Sequence, residues 1–166
     1  MSEIWVVNAS PIISLAKAGF LDLLGKLAPD LIVPEAVASE VLAGPATDPA
    51  RKTLETGWGN RVSPRIIPER VLEWGLGAGE SAVLAVSLEG SGHTAVLDDA
   101  AARSCARALE IPFIGTLAVV LRARKDGLIA SASHVMAALR DSGLRLDDQT
   151  IRTALQRGVG EPWPPR

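Results

Sequence analysis

Gly77-Ala-Gly79-Glu80-Ser-Ala-Val-Leu-Ala-Val-Ser-Leu88 is followed by Thr94-Ala-Val-Leu-Asp98-Asp99-Ala-Ala-Ala-Arg103, and then by Ile111-Pro-Phe-Ile-Gly115-Thr116. Glu80 opens an apolar helical pattern. Val96 and Leu97 close a short apolar run that ends on two adjacent acids, and the Ala- and Arg-rich residues 100–109 are helical by composition. Residues 111–114 form a second short apolar run, stopped by Gly115. Helix, strand, helix, strand is the alternation of a parallel α/β sheet, in which chemistry collects beyond the carboxyl ends of the strands. Asp98 and Asp99 stand at one such end.

Outward from that stretch the pattern repeats. Ile4-Trp-Val-Val7 is wholly apolar, as a central parallel strand buried on both faces must be, and it stops at Asn8. Ser10-Pro11 carries an N-cap and first-turn signature, and Gly19 closes the helix. A short helix is predicted over residues 20–27 and a strand over 31–33. A further helix starts at Pro34, where Val33, Val37 and Val41 make one packing stripe with Glu40 beside it. Residues 50–55 read as helix, 62–67 as a strand weakened by Pro64, and 68–74 as helix. After Gly115-Thr116, helices are predicted to about Lys125, over 133–140 and over 147–156. The tail 161–166, Glu-Pro-Trp-Pro-Pro-Arg, is expected to be irregular and mobile. The fold expected is a three-layer α/β/α domain over residues 1–160 with a mainly parallel central sheet, the first strand in its middle.

The totals agree. A chain of 166 residues with 48% hydrophobic and 22% charged residues suits one domain with its own core. One cysteine, Cys105, rules out a disulfide framework and a thiolate metal cluster. With no basic leader and no apolar run of membrane length, the reading is a cytoplasmic protein without a membrane partner. The net charge of −2 is unevenly placed. Residues 1–100 hold 7 Lys/Arg against 13 Asp/Glu, and residues 101–166 hold 10 against 6. An acidic pocket with a basic flank for phosphates would be so divided; so would ordinary solvated helix faces.

Parallel strands with right-handed crossovers place Asn8, Asp98-Asp99 and Gly115-Thr116 on one sheet edge. Glu40 and Glu80 reach that edge only if the fold carries them there. Carboxylates so gathered repel, by about 4 kcal/mol for two charges 4 Å apart at an effective dielectric of 20. A divalent cation removes that cost, and all-oxygen ligands favour Mg²⁺ or Mn²⁺. Such a site suits phosphodiester hydrolysis. Simpler roles exist for each residue: Asp98 or Asp99 as a helix cap, Glu80 as a favourable first-turn acid, Glu40 as a solvated side chain, Asn8 and Ser10 as turn residues. His93 and His134 lack paired ligand spacing, Cys105 reads as core, and the four tryptophans form no stacking platform.

Asn8-Ala-Ser10-Pro11, Val33-Pro34-Glu-Ala-Val37, Gly79-Glu80-Ser-Ala82, Leu97-Asp98-Asp99-Ala-Ala-Ala-Arg103 and Gly115-Thr116-Leu117 come in the order and spacing of the PIN domain family, which the chain resembles over residues 4–125. More narrowly it is similar to a prokaryotic PIN-like subfamily with Asn at the first acidic position. The resemblance implies a metal-dependent ribonuclease, a Mg²⁺- or Mn²⁺-binding acidic pocket, RNA as substrate, a small antitoxin protein as partner and a homodimer. Carried over by position, the catalytic set is Asn8, Glu40, Glu80, Asp98 and Asp99. Asn8, Glu80, Asp98 and Asp99 are the metal ligands, with Ser10 and Thr116 in support. Arg103, Arg107, Arg122, Arg124 and Lys125 are the candidates for RNA backbone contacts. Asn8 departs from the pattern, because an amide offers a carbonyl oxygen but no charge.

Two other classes fit parts of the chain. One is a PIN-like module of attenuated activity that serves in binding. The other is a dinucleotide-binding protein, since Gly77-Ala-Gly79-Glu-Ser-Ala82 matches G-x-G-x-x-(G/A), with Asp98 at about ribose-binding spacing. That fingerprint requires a strand directly before it, and Glu69, Arg70 and Glu73 make a poor buried strand.

Overall fold

The computed structural model describes residues 3–166. Its sheet contains β1 (Ile4–Val7), β2 (Asp30–Pro34), β3 (Asn60–Val62), β4 (His93–Val96) and β5 (Phe113–Ile114), in the order β3-β2-β1-β4-β5. Every pairing is parallel, with Val6 opposite Ala95 and Val7 opposite Val96. Trp5, Val6 and Val7 have no exposed surface, so β1 is the central strand that its unbroken apolar run predicts. Trp5 keeps its indole N–H satisfied by donating to Glu3 Oε2 at 2.8 Å.

Helices cover both faces in three layers. They are α1 (Ala9–Ala18), α2 (Asp22–Leu27), α3 (Glu35–Leu42), α4 (Pro49–Glu55), α5 (Glu69–Leu72), α6 (Ala78–Leu88), α7 (Ala100–Ala108), α8 (Thr116–Lys125), α9 (Ala132–Asp141) and α10 (Asp148–Val159). The α6 helix lies across β1, β2 and β4 and touches α7, whereas α8 packs with α2, α9 and α10. Positions 81–87 of α6 are all buried, so this helix is apolar nearly all round rather than on one stripe. Two serines, Ser81 and Ser87, are buried there, and the Ser87 hydroxyl donates to Val83 O at 2.7 Å. The Val33, Val37 and Val41 stripe is buried as its spacing predicts.

Several boundaries differ from the sequence expectation. The N-cap of α1 is Asn8, in extended conformation, and the helix begins at Ala9; Ser10 is an exposed first-turn residue, not the cap. The third strand is Asn60–Val62 rather than 62–67, because Pro64 cannot donate to a ladder and the pairing with β2 ends at Pro34 opposite Val62. Within 111–114 only Phe113 and Ile114 pair, the run being interrupted by Pro112. The tail is irregular but docked: Trp163 packs on the core and donates from Nε1 to Asp148 Oδ1 at 3.0 Å. Among the described residues no helix is long and apolar enough to cross a membrane.

Candidate functional site

The strand order runs outward from β1 in both directions, so the crevice beyond the carboxyl ends of β1 and β4 is the topological switch point. Asn8 stands there. Its backbone N–H donates to Val96 O at 3.0 Å, continuing the ladder, and its side chain is 2% exposed. Asn8 Oδ1 is buried and accepts no hydrogen bond from any described residue. An orphan carbonyl of this kind costs about 1–3 kcal/mol unless something outside the chain satisfies it.

Two carboxylates arrive beside it. A methyl group built on Gly79 would lie 2.9 Å from Glu40 Oε2 and 3.4 Å from Asn8 Oδ1, so both oxygens occupy the space that a side chain at Gly79 would fill. The contact between α3 and α6 brings Glu40 there. Glu80, in the first turn of α6, folds back over the N-cap Gly77, where a methyl group would meet its Oε2 at 2.7 Å. Burial first, and then the negative charge of Glu80, push the Glu40 carboxyl above the ordinary range. Asn8, Glu40 and Glu80 therefore form one oxygen-lined group.

The acid pair after β4 divides into two roles. Asp99 caps α7, its Oδ2 accepting from Ala102 N–H at 2.9 Å. Asp98 instead reaches across to α8: Oδ1 accepts from Thr116 N–H at 2.8 Å and Oδ2 from the Thr116 hydroxyl at 2.6 Å. Thr116 has no exposed surface, which fixes Asp98 at the edge between β4 and β5. Gly115 leaves room for it, since a methyl group there would lie 2.9 Å from Asp98 Oδ1 and 3.5 Å from Arg103 Nη1.

The predicted cations do not stay together. Arg103 and Arg107 both stack on Phe113, at 5.2 and 5.4 Å from the ring centroid. Arg122 instead pairs with Glu3 at 2.8 Å and lies over Trp5. Glu3 precedes β1, so this pair is at the sheet edge opposite Asn8. The Glu3 carboxyl is held at about 2, first by the Arg122 guanidinium and then by Trp5. Arg124 pairs with Glu161 at 3.2 Å, and Lys125 is the last residue of α8, which starts at Thr116 and runs away from the site.

Sequence reasoning passed over Gly79, Gly115 and Phe113. Gly79 beside Glu80 and Gly115 at the end of the last apolar run were the available signals, but which carboxylate each glycine faces depends on helix rotation and crossover. The dinucleotide fingerprint fails on its context: Gly77 follows α5 and a turn at Gly75 (φ +63), with no strand before it.

Among the described residues no three His, Cys, Asp or Glu side chains stand close enough to hold an ion by themselves. The donor set nevertheless fits a hard divalent cation once Asn8 is counted. Its amide oxygen, buried and without a donor, stands beside Glu40 where a third carboxylate would be expected.

A protein-family model described as PIN domain matches residues 4–160. No curated protein matches the chain.

Proposed function

The chain belongs to the PIN domain family, whose members are generally nuclease-like, act on nucleic acid and use divalent metal ions, and on that premise we propose that it is a Mg²⁺- or Mn²⁺-dependent endoribonuclease. The observation that carries this reading is the buried, unpartnered Asn8 Oδ1 beside Glu40 at the switch point. Asn8, Glu40 and Glu80 would hold the ion, with Asp98 at the adjoining edge and Asp99 one residue on. When bound there, a divalent ion would supply charge for phosphate oxygens and lower the pKa of a water.

The chain's own groups complete the site. Thr116 keeps both Asp98 oxygens oriented through its N–H and hydroxyl, leaving their remaining lone pairs for a ligand. Glu40, brought beside Asn8 by the contact of α3 with α6, would present its other carboxylate oxygen to a water at the site. Asp99 supports the site through the cap that starts α7. Ser10 lies in the first turn of α1, two residues after Asn8, where its exposed hydroxyl is free to meet substrate. The biological setting proposed is the toxin component of a toxin–antitoxin pair, dimeric and held inactive by a small protein.

The test is cleavage of a single-stranded oligoribonucleotide by the purified chain with Mn²⁺ and with EDTA. Mn²⁺-dependent cleavage that Glu80→Gln abolishes supports the nuclease. No cleavage by a folded wild-type chain rejects it. Growth arrest on expression, absent for Glu80→Gln, supports the toxin setting, and normal growth counts against it.

One observation favours a second reading. A neutral Asn8 leaves the group one charge short, which suits a binding module of attenuated activity. RNA binding without Mn²⁺-dependent cleavage would identify it.

A further inference from the structure

Phe113 is on the edge strand β5, two residues before Gly115. Arg103 and Arg107, four apart on α7, bring their guanidinium carbons to 5.2 and 5.4 Å from its ring centroid. Neither arginine takes part in any ion pair among the described residues. Two like charges gathered on one ring repel each other, and the ring's quadrupole offsets only part of that. Stacked guanidiniums also keep their edge N–H groups free to donate. Arg103 Nη1 and Asp98 Oδ1 flank the same point beside Gly115, so this cationic pair starts at the proposed site and continues along α7.

We propose that Arg103 and Arg107, held by Phe113, form the anchor for the phosphates of an RNA strand that enters the Asp98 edge along α7. The four-residue offset sets their Cα atoms about 6 Å apart along the helix axis, and both side chains converge on the Phe113 ring, so two cations stand side by side for neighbouring phosphates of one strand. Arg103, nearer Asp98, takes the phosphate next to the site, and Arg107 takes the following one. Phe113 is a positioning residue: it touches no substrate and acts through the two arginines. Arg122 and Arg124, committed to Glu3 and Glu161, play no part in the anchor. This inference rests on the nucleic-acid reading of the site but not on catalysis.

The experiment is fluorescence-anisotropy binding of a labelled single-stranded oligoribonucleotide to the full chain, in EDTA so that nothing is cleaved, over a KCl series. Each phosphate contact on a single strand contributes about 0.7 to the slope of log affinity against log salt. Arg103→Ala and Arg107→Ala are each expected to lower the slope by about 0.7, and Arg122→Ala to leave it unchanged. Phe113→Leu, which keeps an apolar plug but loses the ring face, is expected to weaken binding, and Phe113→Trp to restore it. Thermal midpoints taken alongside identify any variant that fails to fold. Wild-type slopes in folded Arg103→Ala and Arg107→Ala overturn the anchor even if Mn²⁺-dependent cleavage is found. Lowered slopes in a chain that cleaves nothing leave the anchor standing and reject the nuclease. No RNA binding by the wild type overturns the anchor.

Discussion

Glu40 Oε2 and Asn8 Oδ1 meet over the backbone of Gly79, at 2.9 and 3.4 Å from where a methyl group on that residue would be. Two polar oxygens from α3 and the end of β1 thus use the bareness of a residue in α6. Gly79→Ala separates site from scaffold. Alanine in a helix gains about 1 kcal/mol over glycine, and the nearest atom it meets is the far end of a flexible side chain. Stability should hold or rise slightly, while Glu40 is displaced from Asn8 and Mn²⁺ binding falls. Calorimetric titration with Mn²⁺ beside a thermal melt checks both halves; unchanged Mn²⁺ binding would show that the Asn8–Glu40 juxtaposition is not the site.

How far the sequence reaches can be seen in these same residues. Ile4–Val7 and its parallel neighbours were legible because a strand buried on both faces leaves an unbroken apolar run; Asn8 and Asp98 follow such runs directly, and Thr116 follows one after Gly115. The convergence of Glu40 on Asn8 was not legible, because it depends on the contact between α3 and α6. Nor was the division between Asp98 and Asp99. Both acids precede a helix, and only the proximity of Thr116 across the sheet edge decides that Asp99 caps while Asp98 reaches sideways. The strand expected at 62–67 was misplaced for a local reason: Asn60 and Arg61 are polar because β3 is an edge, so the apolar run that marks the inner strands is missing.

Glu40 should also announce itself in the pH dependence of stability. Its carboxyl is raised in the folded chain by burial and by Glu80, so the native state holds the proton more tightly than the unfolded state. Stability therefore falls as pH rises from the unfolded value toward the folded one, and the penalty stays in force above it. In EDTA, Glu40→Gln should melt higher than wild type at neutral pH. The two should draw together as pH falls below the unfolded carboxyl range. A constant offset across that range would place the effect elsewhere.

Glu161 has the opposite sign. Despite burial, N–H donation from Ala132 and Ser133 and the Ser131 hydroxyl hold its carboxyl at about 2, and Arg124 lies 3.2 Å away. Its contribution is complete above the unfolded value and is lost as pH falls through the folded one. Glu161→Gln should cost on the order of 2–3 kcal/mol at neutral pH. The difference from wild type should shrink between about pH 4.5 and pH 2, as urea titrations at several pH values will read. Because this carboxylate caps α9, the same change should speed amide exchange at the start of that helix.

Asn8 gives the most direct test of the site. It is buried, its carbonyl oxygen lacks a donor, and Glu40 lies beside it. Asn8→Asp keeps the side chain's size and adds a negative charge to a group that already carries Glu40 and Glu80. Without a divalent ion that charge meets burial and repulsion together, so stability should fall by about 1–3 kcal/mol or more. With Mn²⁺ the same charge becomes a better ligand, since affinity for a hard cation rises with ligand charge. The midpoint lost in EDTA should then be regained on adding Mn²⁺, by mass action on the folded state, and any cleavage rate should rise with it. If Asn8 only caps α1 and turns the chain out of β1, aspartate serves nearly as well. Melting curves that coincide for the two proteins, with and without Mn²⁺, would remove Asn8 from the site.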